Sequence, residues 1–261
     1  MIWRSVNFIF KLFNKIYFSN QKKSWELARN SSSTYQDIHI FKKVINCYEK
    51  IKNKNYEFYE RDGLIFDVKP DELDLIQFLK ENIAQKKETI QVLDYGGSLG
   101  SRFFSNYNFI QNNNIHWNIV EQKEFVDYGQ KNLQKSNLFF FNNLNECLKL
   151  KKIDCVIFSG SLQYLKDYLE ILNELKQHNI RFVFIDYLPL SKYKEHKIFV
   201  QNIPKKIVYS SYPIHIFSKN VFVNEIQKIN FNIIKLKIKP TVFYGFSYHS
   251  LILENNFNLN I

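Results

Sequence analysis

The sequence predicts an α/β fold: a mostly parallel seven-stranded sheet ending in an antiparallel hairpin, preceded by an N-terminal helical extension. Three observations predict it. From residue 90 onward, short apolar runs alternate with longer stretches of helical periodicity, the pattern of parallel strands joined by crossover helices. The first run ends in a glycine-rich turn, Asp94-Tyr95-Gly96-Gly97-Ser98-Leu99-Gly100. The last two runs, Phe231 to Ile238 and Ser250 to Glu254, are joined by a short segment broken by Pro240 and Gly245, which suits an antiparallel pair at a sheet edge.

Taken in order, residues 1–20 read as an amphipathic helix. Ile2, Val6, Ile9, Phe13 and Ile16 fall on one face, while Arg4, Lys11 and Lys15 fall mostly elsewhere. The segment is too short and too charged to span a bilayer, and it lacks the small-residue cleavage site of a secretory signal. Through residues 2–18 it could lie on an anionic membrane surface, or pack on its own domain or a partner protein. Residues 21–88 read as a helical cap segment. Ile38, Phe41, Val44, Ile45, Tyr48 and Ile51 recur at helical spacing, and Leu73, Ile76, Leu79 and Ile83 form a second stripe. Pro70-Asp71-Glu72 precedes that stripe with acids suited to a helix start. Between the two lies the polar cluster Tyr59-Glu60-Arg61-Asp62-Gly63.

Residues 89–261 read as the α/β domain. Its strands are expected at Ile90 to Tyr95, Trp117 to Glu121, Leu138 to Phe141, Ile153 to Ser159 and Arg181 to Asp186. Helices are expected near 99–110, 124–134, 164–178 and 218–229.

Composition sets outer bounds. Hydrophobic residues at 45% and aromatics at 17% supply a packed core, and nothing reads as disordered or collagen-like. The net charge of +11 suits an anionic partner, but the lysines are scattered among Asn, Ile, Phe and Tyr, which AT-rich coding also produces. Cys47, Cys147 and Cys155 share no CxxC spacing, so they read as reduced thiols of a cytoplasmic protein. The dispersed histidines give no metal-ligand spacing.

The chemistry concentrates in the turn after the first strand. Open parallel sheets bind ligands beyond the carboxyl ends of their strands, where glycines admit a close ligand and the next helix offers free N–H groups. The dinucleotide spacing GxGxxG does not fit, because reading from Gly96 gives Ser98 and Ser101 at the other two positions. At the end of the second strand, 25 residues beyond Gly96, Glu121 is placed to accept hydrogen bonds from two ribose hydroxyls. The fourth strand ends Ser159-Gly160-Ser161, small residues that leave room beside a cofactor or simply make the turn. Asn142 and Asn143 could contact an adenine or serve as turn residues.

The ordered set of blocks resembles a family of class I S-adenosylmethionine-dependent methyltransferases whose members are often associated with surface-polysaccharide biosynthesis. The resemblance runs from Trp25 to about Glu254. Its landmarks are Trp25 with Ala28, Tyr59 to Gly63, Leu93 to Ser101, Trp117 to Gln122, Ser161-Leu162-Gln163-Tyr164-Leu165, Gln201 with Pro204, and Ser211-Tyr212-Pro213. It implies a Rossmann-like class I methyltransferase fold and S-adenosyl-L-methionine as cofactor. The cofactor-binding candidates are Asp94, Gly96, Gly97, Ser98, Gly100, Glu121, Gln122, Ser159, Gly160 and Ser161. Ser98 stands where the acidic-x-Gly-x-Gly-x-Gly pattern has glycine. Asp186-Tyr187-Leu188-Pro189 departs from the Arg-Thr-Pro expected after the Asp, and Thr34-Tyr35 from Gly-Tyr.

Methyl transfer to a hydroxyl benefits from a general base. Asp186, His215 and Glu60 are the catalytic candidates, with Asp62 beside the last. The expected activity is O-methylation of a small-molecule or carbohydrate acceptor, in the cytoplasm or peripherally at the inner face of the membrane. A non-catalytic binding protein on the same fold is the alternative, and a nucleic-acid methyltransferase ranks lower. Nucleic acid is not an expected partner, because Ser159-Gly160-Ser161-Leu162 replaces the block typical of base-modifying enzymes.

Overall fold

A computed structural model of the chain describes residues 17–33, 38–52, 59–61, 63–69, 72–84, 89–203, 210–243 and 245–255. The chain divides into two compact units, Met1–Pro70 with His196–Ile216 and Asp71–Glu195 with Phe217–Ile261. The expected helix at residues 2–16, Thr34-Tyr35, Asp62, Pro70-Asp71 and Pro204 lie outside the described residues.

The smaller unit begins with strand β1 (Tyr17–Phe18), helices α1 (Trp25–Asn30) and α2 (Ile38–Lys52), and the hairpin β2 (Tyr59–Arg61) and β3 (Leu64–Phe66). Tyr17–Phe18 is therefore strand where a helix was expected to run to residue 20. The hairpin likewise replaces part of a segment expected to be helical. Gly63, at φ +71°, makes its turn, and a polar run at a positive-φ glycine favours reversal over helix.

The larger unit continues with α3 (Leu73–Asn82), β4 (Ile90–Tyr95), α4 (Ser101–Ser105), α5 (Tyr107–Asn112), β5 (Ile115–Val120) and α6 (Lys123–Asn132). Then come β6 (Leu138–Phe141), α7 (Leu144–Leu150), β7 (Cys155–Ser159), a single 3-10 turn (Leu162–Tyr164), α8 (Tyr168–Gln177) and β8 (Phe182–Ser191). Strands β9 (Lys197–Ile203) and β10 (Ser210–Ser218) pair antiparallel and belong to the smaller unit, except for the last two residues of β10. Helix α9 (Lys219–Lys228) and strands β11 (Phe231–Phe243) and β12 (Phe246–Asn255) complete the larger unit.

The sheet of the larger unit has the order β6-β5-β4-β7-β8-β12-β11. Strands β4 to β8 pair in parallel, and β12 runs antiparallel to both β8 and β11. The chain leaves β4 toward β5 and β6, then returns to β7 on the other side. That places the topological switch point between β4 and β7.

Both faces of the sheet are covered, which explains why the central strands read as continuous apolar runs. Phe182 and Phe184 point to α3, where Phe78 stacks on Phe184 at 5.2 Å. Val183 and Ile185 point the other way, into a cluster with Leu172 and Leu175 of α8 and Phe222 and Ile226 of α9. Phe78 is completely buried. Its truncation to alanine would cost about 3–5 kcal/mol, because both burial and packing are lost.

Several boundaries differ from expectation for local reasons. The helix expected near 99–110 breaks at Asn106, whose side-chain Nδ2 turns back to Arg102 O at 3.0 Å. Strand β8 runs five residues past Asp186, to Ser191. Strand β11 runs through Pro240 to Phe243, with a register shift between Ile238 and Val242 where proline is tolerated.

Candidate functional site

The glycine-rich turn lies at the carboxyl end of β4, beside the switch point. Gly96, at φ +75°, donates its N–H to Val120 O at 2.9 Å and so keeps the turn joined to β5. At Gly97 the constraint is space. A Cβ there would lie 2.8 Å from Asp94 Cγ, so the turn folds directly over that carboxylate. Asp94 is buried, and its Oδ2 accepts the Trp117 indole N–H at 3.2 Å. Gly100 N–H donates to Gly97 O at 3.0 Å and closes the turn. The helix that follows has only five residues, so the turn's own N–H groups outweigh any helix macrodipole here.

Ser98 takes the left-handed conformation, φ +53°, that the glycine it replaces would adopt freely. Its backbone N–H lies near the Glu121 carboxylate and favours the charged form. Glu121 accepts the Gln122 backbone N–H at 2.6 Å. Burial pushes the Glu121 carboxyl up to about 7, and the negative charge of Asp94 adds to the rise, while the two backbone N–H groups act against it. Gln122 contributes through its main chain, because its side chain does not cap α6.

At the end of β7 the small residues knit three strands together. Ser159 Oγ accepts a hydrogen bond from Arg102 Nη2, Gly160 N–H donates to Asp186 O at 2.9 Å, and Ser161 Oγ donates to Tyr95 O at 2.6 Å. The cofactor-binding candidates thus all sit in one unit, around the carboxyl ends of β4, β5 and β7. Asn143 is a helix cap, its Oδ1 accepting the Glu146 N–H at 2.8 Å.

Among the catalytic candidates, Asp186 is buried in this unit with Oδ1 2.9 Å from Lys239 Nζ. Lys239 also meets Asp74 at 2.7 Å and lies 5.1 Å over the Tyr187 ring. Burial opposes the charge of Lys239, but Asp186 and Asp74 outweigh it and raise the ammonium pKa. Arg102 Nε pairs with Glu72 at 3.2 Å, both side chains nearly buried. Glu72 precedes α3 without capping it, because its carboxylate is held by Arg102. His215 and Glu60 belong to the smaller unit. His215 stacks on Trp25 with centroids 4.4 Å apart, and Glu60 Oε1 accepts the Gly63 N–H at 2.8 Å inside the β2-β3 hairpin.

Sequence reasoning missed Trp117, Arg102, Glu72, Asp74 and Lys239. For Arg102 a signal existed, a lone arginine in the apolar stretch directly after the glycine turn. Among the described residues no cluster of His, Cys, Asp and Glu could hold a metal ion. Nor is any helix there long and apolar enough to cross a membrane.

Strand order, switch point and turn define the class I S-adenosylmethionine-dependent methyltransferase fold, with the hairpin β11-β12 at its edge. The chain is similar to the N-terminal domain of EvdMO1, crystallised in the presence of S-adenosylhomocysteine and D-fucose. The match has 8% identity and a TM-score of 0.53, covering 80% of this chain and 97% of that one. It is also similar to a LepI variant in complex with S-adenosylhomocysteine and a substrate analogue, at 13% identity and a TM-score of 0.50. That match covers 83% of this chain and 55% of LepI, so the chain spans about half of LepI's length. No family model and no curated protein matches the chain.

Proposed function

We propose that the chain is an S-adenosyl-L-methionine-dependent methyltransferase that O-methylates a small hydroxyl-bearing acceptor, with a carbohydrate of a surface polysaccharide as the finer reading. One observation carries it: the turn from Asp94 to Gly100 and the carboxylate of Glu121 adjoin at the carboxyl ends of the paired strands β4 and β5, joined by the Gly96 N–H to Val120 O, beside the switch point of the sheet. The residues fit the cofactor. Gly96 and Gly97 leave a turn without side chains, and Glu121 is a carboxylate at the strand end where ribose hydroxyls would donate. Ser159, Gly160 and Ser161 would border the methionine portion.

S-adenosylmethionine supplies an electrophilic methyl group on a sulfonium, which passes to an acceptor lone pair in line with the breaking C–S bond. The chain's contribution is alignment and exclusion of water. Asp94 and Trp117 fix the first strand end, and the Ser161–Tyr95 bond fixes the turn after β7. Asp186 is retained as the general-base candidate of this unit. Its Oδ1 is held by Lys239 and by the Tyr187 N–H, so its role would be to orient an acceptor hydroxyl. His215 and Glu60 are retained as candidates on the smaller unit. A cytoplasmic location and membrane or protein contact through residues 2–18 belong to the same reading.

The test is calorimetry with S-adenosylmethionine and S-adenosylhomocysteine. Binding of both is expected, and Glu121→Ala should weaken it by at least about tenfold, a lost pair of charge-assisted hydrogen bonds. No binding by the folded protein would sink the reading.

A further inference from the structure

Beyond the cofactor candidates, the 3-10 turn after β7 carries a side chain with unusual surroundings. Leu162 and Gln163 are both buried there, at 0% and 2% exposure. Leu162 joins the apolar cluster, but Gln163 brings an amide into the same turn. Among the described residues its Oε1 is buried with no hydrogen-bond partner. Such an orphan lowers stability, and an apolar residue of similar shape would remove the cost.

Gly160 leaves room beside the Gln163 amide. A Cβ built on Gly160 would have one atom within 4.0 Å apart from its chain neighbours, namely Gln163 Nε2. The backbone of Gly160, at φ +68°, is tied to Asp186 O, so this uncrowded position lies at the carboxyl ends of β7 and β8. The two nearly buried cations of this end are already neutralised. Arg102 is paired with Glu72, and Lys239 with both Asp186 and Asp74. A phosphate or carboxylate would find no uncommitted charge in that set. A neutral amide offers one donor and one acceptor arm, the complement of a hydroxyl.

We propose that Gln163 reads the acceptor: its side-chain amide hydrogen-bonds a neutral, hydroxyl-bearing molecule seated over Gly160. That this molecule receives a methyl group rests on the proposed methyltransferase activity, but its binding does not.

The experiment uses the full chain and four probes: D-glucose, D-galactose, D-fucose and, as the anionic control, D-glucuronate. Each is titrated into nitrogen-labelled protein with and without S-adenosylhomocysteine. The Gln163 side-chain NH2 signal is assigned by its loss in Gln163→Met. At least one neutral sugar should shift that signal, and Gln163→Met should weaken its binding by about tenfold, the scale of one lost buried hydrogen bond. The same variant should keep S-adenosylhomocysteine affinity and keep or raise the melting temperature. Sugar binding unchanged in Gln163→Met, no neutral sugar binding, or tighter binding of D-glucuronate than of any neutral sugar each overturns the proposal. A Gln163→Met that unfolds or loses melting temperature assigns the amide a structural role and overturns it too. Failure to bind S-adenosylhomocysteine overturns the methyltransferase reading alone, because the sugar titrations are read separately without it.

Discussion

Gly96 donates its N–H to Val120 O at 2.9 Å, and this bond joins the glycine-rich turn to the end of β5. It sets the turn, with Ser98 in the place of a glycine, beside the Glu121 carboxylate expected to meet ribose. Ser98 holds φ +53° there at a cost of order 1 kcal/mol.

A pH dependence follows from that carboxyl. Burial raises its pKa to about 7, so near neutrality it is half protonated. A ribose diol donates two hydrogen bonds and favours the ionised form. S-adenosylhomocysteine affinity should therefore fall as pH drops from 8 to 6, approaching about tenfold per unit below the pKa. Stability runs the other way. The folded state holds this proton more tightly than the unfolded chain, so the contribution is full below the unfolded pKa and is lost as pH rises through about 7. Calorimetry across that range, repeated on Glu121→Gln, checks the assignment. The variant should bind more weakly and lose the slope, and a slope that persists in it would assign the titration to another group.

The sheet was legible because its strands are buried on both faces and its turns carry glycine. Ile90 to Tyr95 and Leu138 to Phe141 match the strands residue for residue, since apolar runs flanked by polar turns have no other arrangement that buries them. Strands β9 and β10 were not legible. Polar residues are mixed through both, and Pro213 sits within β10 opposite Val200, where proline argues against a strand. The three-residue strands of the β2-β3 hairpin are too short to show a period. At the site, the glycine turn and Glu121 are local signals. Lys239 and Asp186 are 53 residues apart in sequence, and only the pairing of β12 with β8 and β11 brings them to 2.9 Å. Lys235, Lys237 and Lys239 alternate with Leu236 and Ile238, and strand alternation alone would turn the lysines to solvent and the apolar residues inward. In fact Ile238 is 59% exposed and the Lys239 side chain 12%.

That inversion makes Lys239 a stability determinant. Lys239→Met leaves Asp186 buried without its counter-charge, while Asp74 keeps Lys237 at 2.7 Å. Removing one partner of a buried pair costs about 3–5 kcal/mol, whereas removing both charges costs less. Lys239→Met combined with Asp186→Asn should thus be more stable than the sum of the two single changes, by about 1–3 kcal/mol. Urea unfolding of the four proteins measures this coupling, and strictly additive effects would show that the ion pair contributes nothing.

Gly129 gives a prediction away from the site. It sits inside α6, where alanine is intrinsically favoured by about 1 kcal/mol. Yet a Cβ on Gly129 would come within 2.6 Å of the Phe140 ring, and Phe140 is itself fixed in β6 at 1% exposure. The Gln130 side chain also holds this edge, donating to Phe140 O at 3.0 Å, so the strand cannot readily move aside. Overpacking of this kind costs about 1–3 kcal/mol and exceeds the gain in helix propensity. Gly129→Ala should therefore lower the urea midpoint, against the usual direction for glycine replacement in a helix. The paired variant Gly129→Ala with Phe140→Leu, which vacates the clash, should recover part of the loss. A single variant as stable as the natural chain would mean that α6 and β6 are not in the contact described.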